Sequence, residues 1–143
     1  MAKPDAALLN PARYPFTCTI ETRFGDLDVN KHVNNVAMAG MVEEGRVRFH
    51  HASGFVAGLA GRAAMVASLS LEFLGQAYHP APIIVHAGAA RIGRTSYGLD
   101  LLLMQDSRVV VFAQTVVVCT DASGPAEISQ AFRTSAQDWM VRA

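Results

Sequence analysis

The feature that most constrains this chain is a lopsided division of pattern. The second half reads as four successive apolar runs, whereas the first half offers one helix-length segment. The runs cover residues 64–73, 83–92, 96–104 and 109–120. Between them lie 75–82, with Gly75, Pro80 and Pro82, then Gly93-Arg94-Thr95, then Gln105-Asp106-Ser107-Arg108. These are hairpin-like turn signals, and they predict an antiparallel meander. Val109-Val110-Val111-Phe112 is β-branched enough for an inner strand. An alternating stretch over residues 16–23 adds an earlier strand. One helix can cover only one face of one sheet, so the other face calls for a partner, most economically a second copy. The expectation is a single α+β domain over residues 1–143 that assembles as a homo-oligomer, dimer or tetramer.

The helical segment, residues 36–51, contains no proline, and Gly54 is its stop signal. Gly40 and Gly45 inside it each cost about 1 kcal/mol against alanine, which suggests close packing on the sheet. Residues 1–15, with three prolines, read as a loose N-terminal segment, 54–62 as mobile, and 128–141 as a short terminal helix.

Composition excludes several classes. Half of the residues are hydrophobic and 17% are charged, which rules against disorder and suggests surface buried between subunits. Twelve basic residues balance twelve acidic ones, so no global field points to nucleic acid or to an anionic membrane. No apolar run approaches the roughly 18 residues that a membrane span requires, and no signal peptide is visible; a cytoplasmic setting is expected. Cys18 and Cys119 form no C-x-x-C pattern and read as small buried hydrophobes. His50 and His51 are adjacent rather than one turn apart, so no metal site and no separate cofactor is expected. Phosphate-binding loops, serine-nucleophile elbows and dinucleotide fingerprints are absent from the sequence.

Chemistry concentrates in residues 25–35, a loop rich in Gly, Asp and Asn that ends at a helix N-cap, Asn34 or Asn35. Asp26, Asp28, Asn30 and His32 stand just ahead of the helix. A carboxylate there can activate water, and the unpaired N–H groups of the first helical turn can stabilise a developing oxyanion. That suits thioester hydrolysis and also other anion-binding chemistry. Asp26 reads as the cap of the turn, Asn34 and Asn35 as caps and loop locks, and Glu43, Glu44 and Arg46 as ion-pairing residues on the helix.

The run Gly25-Asp-Leu-Asp-Val-Asn-Lys-His-Val-Asn-Asn35 resembles the D-x-D-x-x-x-H-V-N-N signature of hotdog-fold thioesterases, the 4-hydroxybenzoyl-CoA thioesterase-like group. It is similar also to the corresponding run of plant acyl-ACP thioesterases. Leu71-Glu72-Phe73 and the turn at residues 92–96 extend the likeness. The resemblance implies a hotdog fold, in which an antiparallel sheet wraps a long central helix and dimerises into a larger sheet. It implies an acyl-CoA or acyl-ACP thioesterase with Asp28 as base or nucleophile, Asn30 orienting water or thioester, and His32 polarising the carbonyl or relaying a proton. The backbone at Val36 or Ala37 would complete the oxyanion pocket. Met38, Met41 and Phe73 would line the acyl pocket, and Arg91, Arg94, Thr95 and Ser96 would hold coenzyme A. Two departures stand out: methionines replace the usual aromatics on the helix, and Gln76 stands where the plant enzymes carry an acid. They keep a non-catalytic acyl-thioester-binding module as the alternative, with a dehydratase as a poorer third.

Overall fold

The computed structural model describes residues 3–143. In chain order the main elements are β1 (Phe16–Ile20), α1 (Asn35–Ser53), a short α2 (Phe55–Gly58), β2 (Ala63–Phe73), β3 (Ile83–Ile92), β4 (Ser96–Gln105), β5 (Arg108–Asp121), β6 (Gly124–Pro125) and α3 (Gln130–Ala136). They build one antiparallel sheet in the order β1-β3-β4-β5-β2, with β6 on the end of β5. A curled antiparallel sheet around one long helix is the hotdog arrangement.

The strand positions follow the sequence pattern, but the meander is only half right. β3, β4 and β5 are joined by tight hairpins; Asp106 and Ser107, at φ 49° and 64°, form the two-residue turn between the last two. β2 does not pair with β3. It lies at the opposite edge against β5, with Leu71 facing Ala113. A hairpin closes over two to five residues, and the link over 74–82 is too long to impose one. β1 stops at Ile20 rather than continuing to Arg23. The segment expected to be mobile after Gly54 contains α2, and the terminal helix is confined to Gln130–Ala136. The N-terminal segment is likewise not loose. It makes two 3-10 turns, and Tyr14 donates to the carbonyl of Leu8 at 2.6 Å while packing on Leu102 and Phe112 of the outer sheet face.

Helix α1 starts and stops as its caps dictate. Asn34 accepts from the Val36 amide, and Gly54 takes the left-handed conformation, φ 77°, at the other end. The helix lies across β3, β4 and β1. It buries Met38, Met41, Val42 and Phe49 against Ile83, Val85, Leu99 and Leu101. His50 and His51 diverge: His51 is exposed, whereas buried His50 places Nε2 2.7 Å from the Tyr97 hydroxyl. Burial, aided by the charge of Arg46, lowers the His50 pKa to about 4, so it belongs to the core as a neutral ring.

Because α1 sits over the β1 side, the inner face of β2 is left open. Val66, Leu69 and Phe73, opposite Val117, Thr115 and Val111 on the core face of β5, are exposed large hydrophobic residues on this edge strand, while Met65, opposite Val118, is exposed on its other face. Among the described residues, no helix is long and apolar enough to cross a membrane.

The two helix glycines have different causes. A Cβ at Gly45 would lie 2.7 Å from Val85 Cγ1, whereas one at Gly40 would meet nothing within 4 Å. Gly45→Ala should therefore lower stability by about 1–3 kcal/mol through overpacking. Gly40→Ala should raise it by up to about 1 kcal/mol through helix propensity. Urea unfolding of the two variants checks the opposite signs.

Candidate functional site

The site is assembled from short-range constraints between the end of β1 and the start of α1. Asp26 is buried and accepts from the Arg23 amide at 2.9 Å and the Arg23 guanidinium at 3.0 Å. Its own carbonyl takes the Asn34 amide at 2.8 Å. Asp26 is thus the turn lock that its position suggested. Leu27 bridges Val33, and the Asp28 amide donates to the His32 carbonyl at 2.9 Å, so residues 27–33 form a small hairpin. Lys31 at its tip adopts φ 62°.

Within this hairpin Asp28 is half-buried. Its Oδ1 accepts from the amides of Asn30 at 2.8 Å and His32 at 3.2 Å. No hydrogen bond reaches Oδ2 among the described residues. One carboxylate oxygen is therefore fixed by backbone donors, and the other is open for chemistry. Half-buried His32 presents its ring edge-on to Tyr78, with centroids 5.3 Å apart, while the Asn30 side chain is exposed.

The hairpin is fixed from below by a residue the sequence reading passed over as part of a turn. Gln105, fully buried, accepts from the Tyr78 amide at 2.8 Å and donates to the carbonyls of Tyr78 and Ala81 at 2.7 and 2.8 Å. The segment it holds supplies Tyr78 beside His32, and the Ala77 carbonyl accepts the Val33 amide at 2.8 Å. The only sequence signal was an amide side chain ending an otherwise apolar run.

The helix start narrows the oxyanion expectation. Val36 N–H is committed to Asn34 Oδ1 at 2.8 Å, and Met38 N–H to the Asn34 carbonyl at 2.9 Å. The Ala37 amide between them has no acceptor among the described residues, so Ala37 rather than Val36 is the open donor.

Two cavities flank the first half of α1. A larger one of about 590 Å³, with charged residues on its wall, lies on the β1 side, lined among others by Glu21, Arg23, Asp26, Ala37, Gly40 and Met41. An apolar one of about 230 Å³ lies on the β2 side, lined among others by Ala39, Gly40, Val42, Val66, Leu69 and Thr115. Asp28 lines neither. The three expected acyl-pocket residues are not gathered together: Met41 borders the larger cavity, Met38 is buried in the core, and Phe73 is exposed on β2.

The expected coenzyme A cluster is also separated from Asp28. The register places Ile83 beside Ile20 at one end of β3 and Ile92 beside Tyr97 at the other. Ten residues of strand, roughly 33 Å, therefore divide the Asp28 end from Arg91, Arg94, Thr95 and Ser96. Arg91 is exposed, and Arg94 lies 3.4 Å from Glu127. The carbonyls of Thr95 and Ser96 accept from Cys119 and Gly93. Within one protomer these residues cannot share a ligand headgroup with the Asp28 loop. Glu43–Arg46 and Glu44–Arg48 form ion pairs along α1 at 3.2 and 3.3 Å. Among the described residues, no three His, Cys, Asp or Glu side chains gather as a metal site.

Residues 22–136 match the family described as the thioesterase-like superfamily. No curated protein matches the chain significantly. Among solved structures it is similar to a predicted thioesterase from Bacillus stearothermophilus, with 21% identity, a TM-score of 0.80, and coverage of 90% of this chain and 98% of that one. It is similar also to a thioesterase from Thermus thermophilus complexed with coenzyme A and Zn, with 22% identity, a TM-score of 0.80, and coverage of 91% and 98%. A third is a 1,4-dihydroxy-2-naphthoyl-CoA thioesterase from Synechocystis, with 18% identity, a TM-score of 0.74, and coverage of 86% and 96%.

The Asn34 side chain closes the helix start beside the open amide. Asn34→Ala should cost about 0.5–2 kcal/mol of stability in denaturant unfolding, the usual worth of an N-cap.

Proposed function

This chain belongs to the thioesterase-like superfamily, and we propose that it hydrolyses an acyl thioester of coenzyme A, or of acyl carrier protein, with Asp28 as the reacting carboxylate. Family membership supports thioester hydrolysis as the reaction class. The observation that carries the residue assignment is the unequal treatment of the two Asp28 oxygens, with Oδ1 tied to the Asn30 and His32 amides and Oδ2 open. In this reading the substrate carbonyl oxygen accepts from Ala37 N–H at the positive end of α1. Oδ2 either takes the proton of an attacking water or adds to the carbonyl carbon itself. The tetrahedral intermediate collapses with loss of the C–S bond, and the thiolate leaves to take up a proton; where Oδ2 itself has attacked, water then cleaves the resulting mixed anhydride, releasing the acid and regenerating the carboxylate. His32 and Asn30 orient the thioester and the water.

Coenzyme A is the preferred carrier because a similar structure is described as holding it and another as acting on an aroyl-CoA. The exposed edge and apolar inner face of β2 support a homodimer, in which a second copy would cover them. A second copy would also turn the Asp28 surface into a cleft, and could bring Arg91, Arg94, Thr95 and Ser96 of one protomer toward the thioester of the other. The competing reading, a module that binds acyl thioesters without cleaving them, draws on Gln76, which stands exposed where an acid was expected.

Asp28→Asn decides between the two. Asparagine keeps an Oδ1 that can accept from Asn30 and His32, so the hairpin survives, but its amide nitrogen is no base. Release of free thiol from a panel of acyl-CoAs should fall about 100-fold or more, with the melting temperature little changed. Near-normal release would remove Asp28 from the mechanism, and tight binding without any release by the unaltered protein would favour the binding module.

A further inference from the structure

We propose that a cavity at the far end of α1 binds the phosphate-bearing end of a nucleotide, with Arg46 and Arg62 as its phosphate-binding residues. Its placement beside the thioester of a second copy rests on the hydrolase and dimer reading above, whereas the test of the site itself does not require turnover.

The cavity, about 330 Å³, lies between the last turns of α1, α2 and the start of β2. Two arginines from different elements line it, and among the described residues no Asp or Glu does. The Arg46 side chain is 14% exposed and gives Nη2 to Glu43 at 3.2 Å, while its Nε and Nη1 have no partner among the described residues. Arg62 is half-buried, and it and Arg91 are the arginines whose side chains reach neither an acid nor a carbonyl among the described residues. Asp121, one residue past the Ala63–Thr120 pair, keeps its Oδ1 on the amide and hydroxyl of Ser123 at 2.8 and 2.7 Å. Neutralising the helix end does not explain Arg46, because that effect is confined to the last turn and Arg46 lies about two turns before Ser53.

The rest of the wall is apolar, with Val47 and Val56 exposed and Leu59 behind them. Two cations beside an apolar surface match an anion that carries a flat ring: the guanidinium forks take phosphate, and the base covers the valines. A bare phosphate would leave the valines wet. At about 330 Å³ the cavity exceeds the ~150 Å³ that accommodates benzene, which leaves room for a purine.

Within one protomer the 19 residues of α1, about 28 Å, separate this cavity from Asp28. A second copy changes that. Placed about a two-fold axis normal to the sheet, it pairs the two free β2 edges antiparallel and keeps Val66, Leu69 and Phe73 of both copies on one side. The start of one β2 then lies beside the end of the other, which leads into the link carrying Tyr78 against His32. The cavity of one copy thus adjoins the Asp28 site of its neighbour. It lies at the same end of the sheet as Arg91 and Arg94 but on the face covered by α1, whereas Arg91 stands opposite Gly98 on the outer face. The nucleotide has two sources, the far end of coenzyme A held by the neighbouring copy or a free nucleotide, and the experiment separates them.

Calorimetric binding of adenosine 3′,5′-bisphosphate and of adenosine is measured on the unaltered protein, Arg62→Gln and Arg46→Gln. The unaltered protein should bind the bisphosphate about tenfold or more tightly than adenosine, and each substitution should weaken the bisphosphate by about tenfold or more. Arg62→Gln breaks no contact within the protomer, so its melting temperature should hold, which keeps the test valid if Arg46→Gln unfolds. No preference for the bisphosphate, or a preference that survives Arg62→Gln, overturns the proposal. A KM for acyl-CoA raised about tenfold in Arg62→Gln, with a smaller rise for the same acyl pantetheine, which lacks the nucleotide, upholds the site and identifies coenzyme A as the source. Weakened bisphosphate binding with equal KM changes for the two thioesters upholds it as a site for a free nucleotide. Arginine-dependent bisphosphate binding, with no thiol released from any thioester, would uphold the site and overturn the hydrolase reading instead.

Discussion

Three hydrogen bonds from one buried amide, that of Gln105, fix the geometry on which the candidate site depends. They pin the backbone at Tyr78 and Ala81, and the same segment receives the Val33 amide through Ala77 and places Tyr78 against His32. The Asp28 hairpin is therefore held from both sides, by Asp26 and Arg23 behind it and by the Gln105-stabilised segment beneath it. A reactive carboxylate needs this kind of support, because misplacement by about 1 Å can cost a hundredfold in rate. Burying a fully satisfied amide provides rigidity at little net cost, whereas a half-satisfied one would be a weakness.

Local chemistry was the most legible part of the sequence. Asn34 as cap, Gly54 as stop, Asp26 as turn lock and the positions of the four long strands all depend on neighbours a few residues apart, and each is found where the residues place it. Strand order was not legible in the same way. Turn signals show where a chain reverses, and they fix a neighbour only when the link is short. β2, followed by the long stretch over 74–82, pairs with β5 instead of β3. The same limit separated Arg91 and Arg94 from Asp28: the turn was readable, but not the end of the sheet on which it lies. Met38 and Met41 looked equivalent on a helix, yet only Met41 borders a cavity, because the distinction depends on how the helix is rotated over the sheet. Gly40 and Gly45 looked equally like packing glycines, and only Gly45 touches a neighbour that requires one.

The protomer carries two features that are unfavourable in isolation. β2 exposes apolar side chains on a free edge, and Thr115 keeps a buried hydroxyl that has no partner among the described residues. Both lie on the same side of α1, around the smaller cavity. Features that reduce stability without local compensation are commonly explained by association or binding. On this account the exposed face of β2 is relieved by a second copy.

The central claim is that a thioester carbonyl sits between the open oxygen of Asp28 and the open amide of Ala37. A crystal structure with a bound non-hydrolysable acyl-CoA ketone analogue measures this directly. The account requires the ketone oxygen within hydrogen-bond distance of Ala37 N–H and Asp28 Oδ2 on the opposite face of the carbonyl carbon, with Oδ1 still held by Asn30 and His32. A carbonyl seated away from both, with Asp28 facing only solvent, would contradict it.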